Sequence, residues 1–296
     1  MAERVGFIGL GLMGRPMALN VLKGGYPLTV HSRSPRPVEA LVAAGAHGAG
    51  SPAEVARRSD VVITMLPDSP DVQKVVAGPA GVLEGLRPGS VLIDMSSIAP
   101  AVARDLASRT AEAGSAMLDA PVSGGEIGAI DGTLSIMVGG DLAALERVRP
   151  ILNTMGNPER VIHIGGPGAG QVCKLCNQLA IGGALATVGE AFALARKAGV
   201  DPAKVREALL GGFAASRVLE VHGERILQKN YVPGFRTALY YKDMGNVMET
   251  GRSLAVPLPV TAVVQQLLGT LIAEGRGDED YSALGTVLLA MAGVND

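Results

Sequence analysis

Apolar and polar positions along the 296-residue chain follow two rhythms. Through the first half, short apolar runs recur at Arg4–Ile8, Tyr26–His31, Asp60–Met65, Ser90–Asp94, Met117–Asp119, Ser135–Val138 and Arg160–Ile164. Runs of this length bounded by turn residues read as buried strands. The stretches between them carry helical spacing, notably Pro100–Ala113 and Asp141–Met155. Ser51-Pro52-Ala53-Glu54 is a capping box with proline at the first helical position. Strands alternating with helices predict an α/β fold with a doubly wound parallel sheet of the Rossmann type.

From Gly165 onward the strand rhythm disappears. Gly165–Lys197 opens on Gly165, Gly166, Gly168 and Gly170 and continues as a helical pattern that is apolar almost all round. No face of such a helix suits water, so it is expected to be buried. Asp201-Pro202 caps a helix through Leu210, and apolar helical stretches follow through Tyr240–Thr250 and Val260–Glu274. The expected division is residues 1–164, an α/β domain, and residues 165–296, an all-α domain, joined by the long helix.

The turn after the first strand adds chemistry. Gly9-Leu10-Gly11-Leu12-Met13-Gly14 follows a strand and opens a helix that ends at Gly24-Gly25, with a second strand beyond. This is the dinucleotide fingerprint in its proper context. Gly9 makes the tight turn, Gly11 admits a pyrophosphate to the backbone, and Gly14 lets helix and strand pack closely. The helix start supplies N–H groups and a positive dipole end for the phosphates. An NAD site places an acid at the end of the second strand for the ribose hydroxyl. Here Ser32, Arg33 and Ser34 stand there, and a guanidinium pairs bidentately with a 2′-phosphate. NADP(H) is therefore favoured, with NAD(H) as the alternative. Met65-Leu66-Pro67 and Ser96-Ser97 fall at strand ends, where they would line the nicotinamide side of the cofactor. Ser123-Gly124-Gly125 offers successive backbone N–H groups and a hydroxyl, a concavity suited to a carboxylate.

Composition excludes several alternatives. A net charge of −2 with no charged run makes nucleic acid and anionic membranes poor partners. The apolar stretches Leu179–Ala195 and Leu254–Ile272 are interrupted by Glu190 and by Pro257, Pro259, Gln265 and Gln266, so they read as buried helices rather than membrane spans. No charged leader precedes the first strand, and the chain is read as cytoplasmic. Cys173 and Cys176 are expected to be small apolar fillers, and no metal site is expected from the scattered histidines.

In the long helix one cation, Lys174, shares a face with Asn177 and Gln178. Burial and the positive helix end both disfavour the ammonium form, which would bring a lysine towards useful proton exchange near neutral pH. Lys174 is the candidate proton donor, with Asn177 or Gln178 orienting it.

Residues 5–291 resemble the β-hydroxyacid dehydrogenase family, which includes the 3-hydroxyisobutyrate dehydrogenases. The resemblance rests on Val5–Gly14, Asp119-Ala120-Pro121-Val122-Ser123-Gly124-Gly125, Gly168-Ala169-Gly170 with Lys174, and Lys242-Asp243. Within it the chain looks most like the tartronate semialdehyde (2-hydroxy-3-oxopropionate) reductase branch, on Ile63–Pro70, Ile93–Pro100, Ser123–Glu126 and Ala129–Leu134. The resemblance implies that Lys174 is the acid/base, that Ser123-Gly124-Gly125 holds the substrate carboxylate, and that Ser97 and Lys242 approach the cofactor. It also implies NAD(P)H-dependent reduction of a small carboxylated aldehyde. The alternatives are 3-hydroxyisobutyrate dehydrogenation, glyoxylate or succinic semialdehyde reduction, and a non-catalytic NADPH-binding scaffold. Many members carry Asn four residues past the lysine, where this chain has Gln178. The apolar helices point to a homodimer or homotetramer.

Overall fold

A computed structural model describes residues 2–294. The chain divides into two compact units, Met1–Lys174 and Leu175–Asp296. The first contains β1 (Val5–Ile8), α1 (Gly14–Lys23), β2 (Leu28–His31), α2 (Pro35–Ala43), β3 (His47–Gly48), α3 (Pro52–Arg58), β4 (Val61–Thr64), α4 (Ser69–Ala77) and α5 (Val82–Gly85). It continues with β5 (Val91–Asp94), α6 (Pro100–Glu112), β6 (Ala116–Asp119), β7 (Val122–Ser123), α7 (Gly125–Asp131), β8 (Leu134–Gly139), α8 (Leu142–Leu152) and β9 (Gly156–Gly165). The helix α9 (Ala169–Lys197) starts in this unit and runs on into the second.

The strands form one sheet in the order β3-β2-β1-β4-β5-β6-β8-β7, with β9 on β8. From β3 to β6 all pairings are parallel. The central strands β1, β4 and β5 are buried along their whole length and apolar up to Thr64 and Asp94 at the ends of β4 and β5, because both faces are covered. Val5, Phe7, Val61, Ile63, Val91 and Ile93 point to one core. Their neighbours Ile8, Val62 and Leu92 point to a second core on the other side, with Val55, Val72 and Leu106 of the covering helices. The sheet is not parallel to its edge, as the alternation predicted. β6 and β7 both run antiparallel to β8, with Asp119 opposite Gly139 and Val122 opposite Ile136. The chain returns from β7 to β8 through α7 (Gly125–Asp131) and so doubles back on itself, which makes the pairing antiparallel. The Ser51 cap forms, its Oγ accepting from Glu54 N at 3.2 Å, while Glu54 Oε2 accepts from Gly50 N rather than from Ser51 itself.

In the second unit, α9 is joined by α10 (Pro202–Leu210), α11 (Arg217–Leu227), α12 (Thr237–Ser253), α13 (Pro259–Ala273) and α14 (Leu284–Met291). Asp201 caps α10 through a 2.9 Å bond from Ala203 N. Leu185, Val188, Phe192, Tyr240, Met244, Val264, Leu268 and Leu284 make the core. The few aromatics concentrate here: Phe235, Tyr240 and Tyr281 stack edge-on or tilted, with Tyr281 Oη 2.6 Å from His222 Nε2. The buried Asp280 carboxylate accepts from Gly234 N, Phe235 N and Ser282 Oγ, fixing the segment that leads into α12.

The expectation that α9 is buried all round is corrected. Ala180, Thr187, Glu190 and Leu194 are exposed along one stripe, while Leu185, Val188 and Phe192 on the other side are buried. Its many small residues raise the apolar count without demanding cover on every side. Gly182 and Gly189 lie on the buried face, where an added Cβ would meet Tyr240 Oη at 2.9 Å and Leu288 Cδ1 at 2.7 Å. Cys176 is likewise exposed and is no core filler.

Candidate active site

At the carboxyl end of β1 the chain turns through Gly9, whose φ of +98° suits glycine. A Cβ at Gly14 would collide with the Gly9 carbonyl oxygen, and one at Gly9 with that of Met65. Around Gly11, by contrast, an added Cβ would meet nothing within 4 Å. Leu10 is buried, Leu12 is exposed and Met13 is half-buried at the N-cap of α1. No side chain caps this helix and its first turn holds no acid. The turn is thus a cradle whose N–H groups are left open to an anion, as a dinucleotide pyrophosphate requires. Ser32, Arg33 and Ser34 follow β2, with Arg33 and Ser34 exposed. Arg36, in the first turn of α2, stands beside them as a further exposed cation that sequence reading passed over.

The neighbouring strand ends are tied together. Met65 N donates to Ile8 O at 2.9 Å and Met95 N to Thr64 O at 2.8 Å. Leu66 N donates to Ser96 Oγ at 2.9 Å, and Ser96 Oγ donates to Asp94 Oδ1 at 2.6 Å. Thr64 Oγ1 donates to the same carboxylate oxygen at 2.7 Å. Asp94 is fully buried, its Oδ2 has no hydrogen-bond partner, and burial pushes its carboxyl up to about 6 against those hydrogen bonds. Met65, Leu66 and Ser97 are half-buried and Pro67 is exposed.

Ser123 ends β7 half-buried, and Gly124 and Gly125 are exposed with φ of +138° and +63°. Helix α7 starts at Gly125 itself. Asn20 of α1 holds the other end of α7, its Nδ2 donating to Ala129 O at 2.8 Å.

Lys174 is buried at 8% exposure, one turn past the start of α9. That start is held by Asp119, at the end of β6: Gly168 N donates to its Oδ1 at 2.7 Å and Gln171 N to its Oδ2 at 2.8 Å. Burial raises the Asp119 carboxyl above its usual range, opposed by those N–H bonds. The expected help of the helix end to Lys174 is thereby corrected, because a carboxylate faces the dipole and the effect fades beyond the first turn.

The second unit places its own candidates together. Asn177 Nδ2 donates to Gln178 Oε1 at 2.8 Å, and Gln178 Nε2 donates to Asp243 Oδ2 at 2.6 Å. Asp243, buried on α12, also pairs with Lys242 at 2.8 Å. Tyr240 Oη donates to Gln178 O at 2.8 Å. Sequence reading missed Asp94, Thr64, Asp119, Gln171 and Tyr240 as supports. Asp119, Thr64 and Asp94 carried a signal, as members of the stretches Asp119–Gly125, Ile63–Pro70 and Ile93–Pro100.

Residues 4–165 match the family described as the NAD binding domain of 6-phosphogluconate dehydrogenase. Residues 168–288 match the family described as NAD-binding of NADP-dependent 3-hydroxyisobutyrate dehydrogenase. The 2-hydroxy-3-oxopropionate reductase of Escherichia coli is 45% identical over 289 residues, covering 98% of each chain. The chain belongs to the 3-hydroxyisobutyrate dehydrogenase-like family of β-hydroxyacid dehydrogenases. It is an NAD(P)-dependent oxidoreductase acting on CH–OH groups. The 2-(hydroxymethyl)glutarate dehydrogenase of Eubacterium barkeri is 39% identical, covering 99% of this chain and 97% of its own. The structure of Mycobacterium tuberculosis 3-hydroxyisobutyrate dehydrogenase with L-serine superposes at a TM-score of 0.90 with 32% identity, covering 97% and 99%. Rossmann unit, helical unit and long helix are the architecture of this family.

Proposed function

We propose that the chain reduces tartronate semialdehyde (2-hydroxy-3-oxopropionate) to D-glycerate, with NADPH preferred over NADH. The observation that carries this reading is the 45% identity, across 98% of both chains, to the Escherichia coli reductase of that name. A bound reduced nicotinamide supplies a hydride for the carbonyl carbon. The chain's own groups do the rest. Gly9 to Gly14 cradle the pyrophosphate through Gly11 and the uncapped start of α1, while Arg33, flanked by Ser32 and Ser34, takes the 2′-phosphate. Met65, Leu66, Pro67 and Ser97 border the nicotinamide side, and Lys242, held by Asp243, serves the cofactor. Ser123 Oγ with the N–H groups of Gly124 and Gly125 holds the substrate carboxylate. Lys174 delivers a proton to the carbonyl oxygen as it gains charge. Of the two amides, we assign the orienting part to Gln178, because Asp243 and Asn177 fix both of its ends.

We place the functional boundary ahead of the long helix, between residues 164 and 165, and read the protein as a cytoplasmic homodimer or homotetramer. The exposed stripe of α9, ending in Leu194, together with Val260 and Val263 of α13, supports self-association, which size-exclusion measurement tests.

Initial rates with tartronate, 3-hydroxyisobutyrate-derived, succinic and glyoxylate aldehydes, each with NADPH and NADH, test the assignment. The largest kcat/KM is expected for tartronate semialdehyde with NADPH; a larger value for another aldehyde replaces the substrate assignment. Lys174→Ala is expected to keep NADPH affinity and lose turnover by about 100-fold or more. Near-full activity in that variant removes the assigned role.

A further inference from the structure

Helix α9 begins with Gly168 at its N-cap, a residue with no side chain to satisfy the open N–H groups of the first turn. Glycine is required there by a φ of +83°. The missing cap comes from another element. Asp119, 49 residues earlier, takes the N–H groups of Gly168 and Gln171 on its two oxygens. Ala169 N is satisfied by Gly166 O at 3.0 Å. Close approach makes this grip tight: a Cβ at Gly170 would collide with the carbonyl oxygens of Met137 and Asp119.

Gln171 adds a second tie. Its side chain is 1% exposed. Its Oε1 accepts from Ile98 N at 3.1 Å and its Nε2 donates to Ser96 O at 2.8 Å. One amide therefore spans the backbone on either side of Ser97, as a neighbouring strand would. Lys174 lies three residues on, hence on the same face of the helix.

We propose that Gln171 is a positioning residue that sets the register between Ser97 and Lys174, with Asp119 clamping the helix turn from which both Gln171 and Lys174 project. The proposal rests on the reading of Lys174 as proton donor. The buried amide serves the strand end and the helix at once, so the amine cannot drift along the helix axis relative to the strand end. A polar side chain buried this deeply, with donor and acceptor both used on backbone, also adds stability, so activity alone would not separate the two roles. Catalysis is far more sensitive than folding to a displacement of about 1 Å, which costs about 100-fold.

The test compares Gln171→Met, which fills similar volume without either hydrogen bond, with Gln171→Glu, which keeps the acceptor for Ile98 N and loses the donor to Ser96 O. Each is measured alongside the wild type and Lys174→Ala for kcat, KM, NADPH affinity, melting temperature and the primary isotope effect with deuterated NADPH. The expected result is a folded Gln171→Met with kcat lowered by about 100-fold, KM and NADPH affinity changed little by comparison, and a larger isotope effect because the chemical step has become limiting. Gln171→Glu is expected to show the same split and supplies the answer if the methionine variant does not fold. A kcat close to wild type, or a loss that follows the unfolded fraction with the isotope effect unchanged, overturns the proposal while leaving Lys174 in place. Full activity in Lys174→Ala removes the underlying reading, and the proposal with it.

Discussion

Helices α1 and α9 both start on glycine-rich turns at the carboxyl edge of one sheet, and their first turns are finished in opposite ways. The start of α1 carries no side-chain cap and no acid, and space lies open at Gly11. The start of α9 is closed by a carboxylate of the chain itself and packed against two strands. Open N–H groups under a positive dipole end form an anion site; the same groups saturated by Asp119 form an anchor. Similar glycine patterns thus leave one helix start open to an anion and close the other, and the difference lies in which residue occupies the helix end.

The sharpest way to break this comparison is to add one methyl group to each turn. Gly170→Ala forces a Cβ into two carbonyl oxygens, so it is expected to cost more than about 3 kcal/mol, read from urea midpoints. Gly11→Ala meets open space, so its stability should stay within about 1 kcal/mol of wild type. Its NADPH affinity should nevertheless fall by about 10- to 100-fold, the worth of one or two charge-assisted hydrogen bonds, as measured by fluorescence titration. Equal stability losses in the two variants, or unchanged NADPH binding in Gly11→Ala, would erase the distinction.

A smaller effect concerns the ground the two turns share. Ser96 accepts from Leu66 N beside the first turn and, through its carbonyl, from Gln171 in the second. It is held in turn by Asp94, whose carboxyl is raised by burial from 3.8 to about 6. Between those values the folded chain keeps a proton that the unfolded chain has lost, so stability falls as pH rises through that window. Above it the loss levels off at roughly 2–3 kcal/mol. In Asp94→Asn that slope is expected to vanish, so the stability difference between variant and wild type should move in the variant's favour between pH 4 and pH 8. Denaturant titrations at the two pH values check this, and parallel pH dependences would refute it.

Much of this was readable residue by residue. The seven apolar runs became strands, and the Gly9–Gly14 turn formed as glycine sterics dictate. The Asp201-Pro202 and Ser51 caps formed too, because periodicity and capping are local properties. The misreadings were non-local. The antiparallel pairing of β6 and β7 with β8 arises because the chain doubles back through α7 onto the same edge, a pairing that the alternation of runs does not encode. The stripe of α9 around Thr187 and Leu194 stays exposed because composition alone does not say how many sides of a helix have neighbours. The proposed choice of Gln178 over Asn177 rests on Asp243, 65 residues away, which no local pattern pairs with it.

By itself, then, the amino-acid order determined the α/β-then-α division, the nucleotide turn and the lysine on its helix, since each depends on spacing within one element. Tertiary structure alone decided that Asp119 caps α9, that Gln171 bridges Ser96 and Ile98, and that Asp94 lies fully buried beside Ser96. Those bonds join residues 49 to 75 positions apart, along with the local Asp94–Ser96 pair on which they rest. Their partners meet only once the sheet has brought neighbouring strand ends together, and burial then gives each remaining polar pairing its strength.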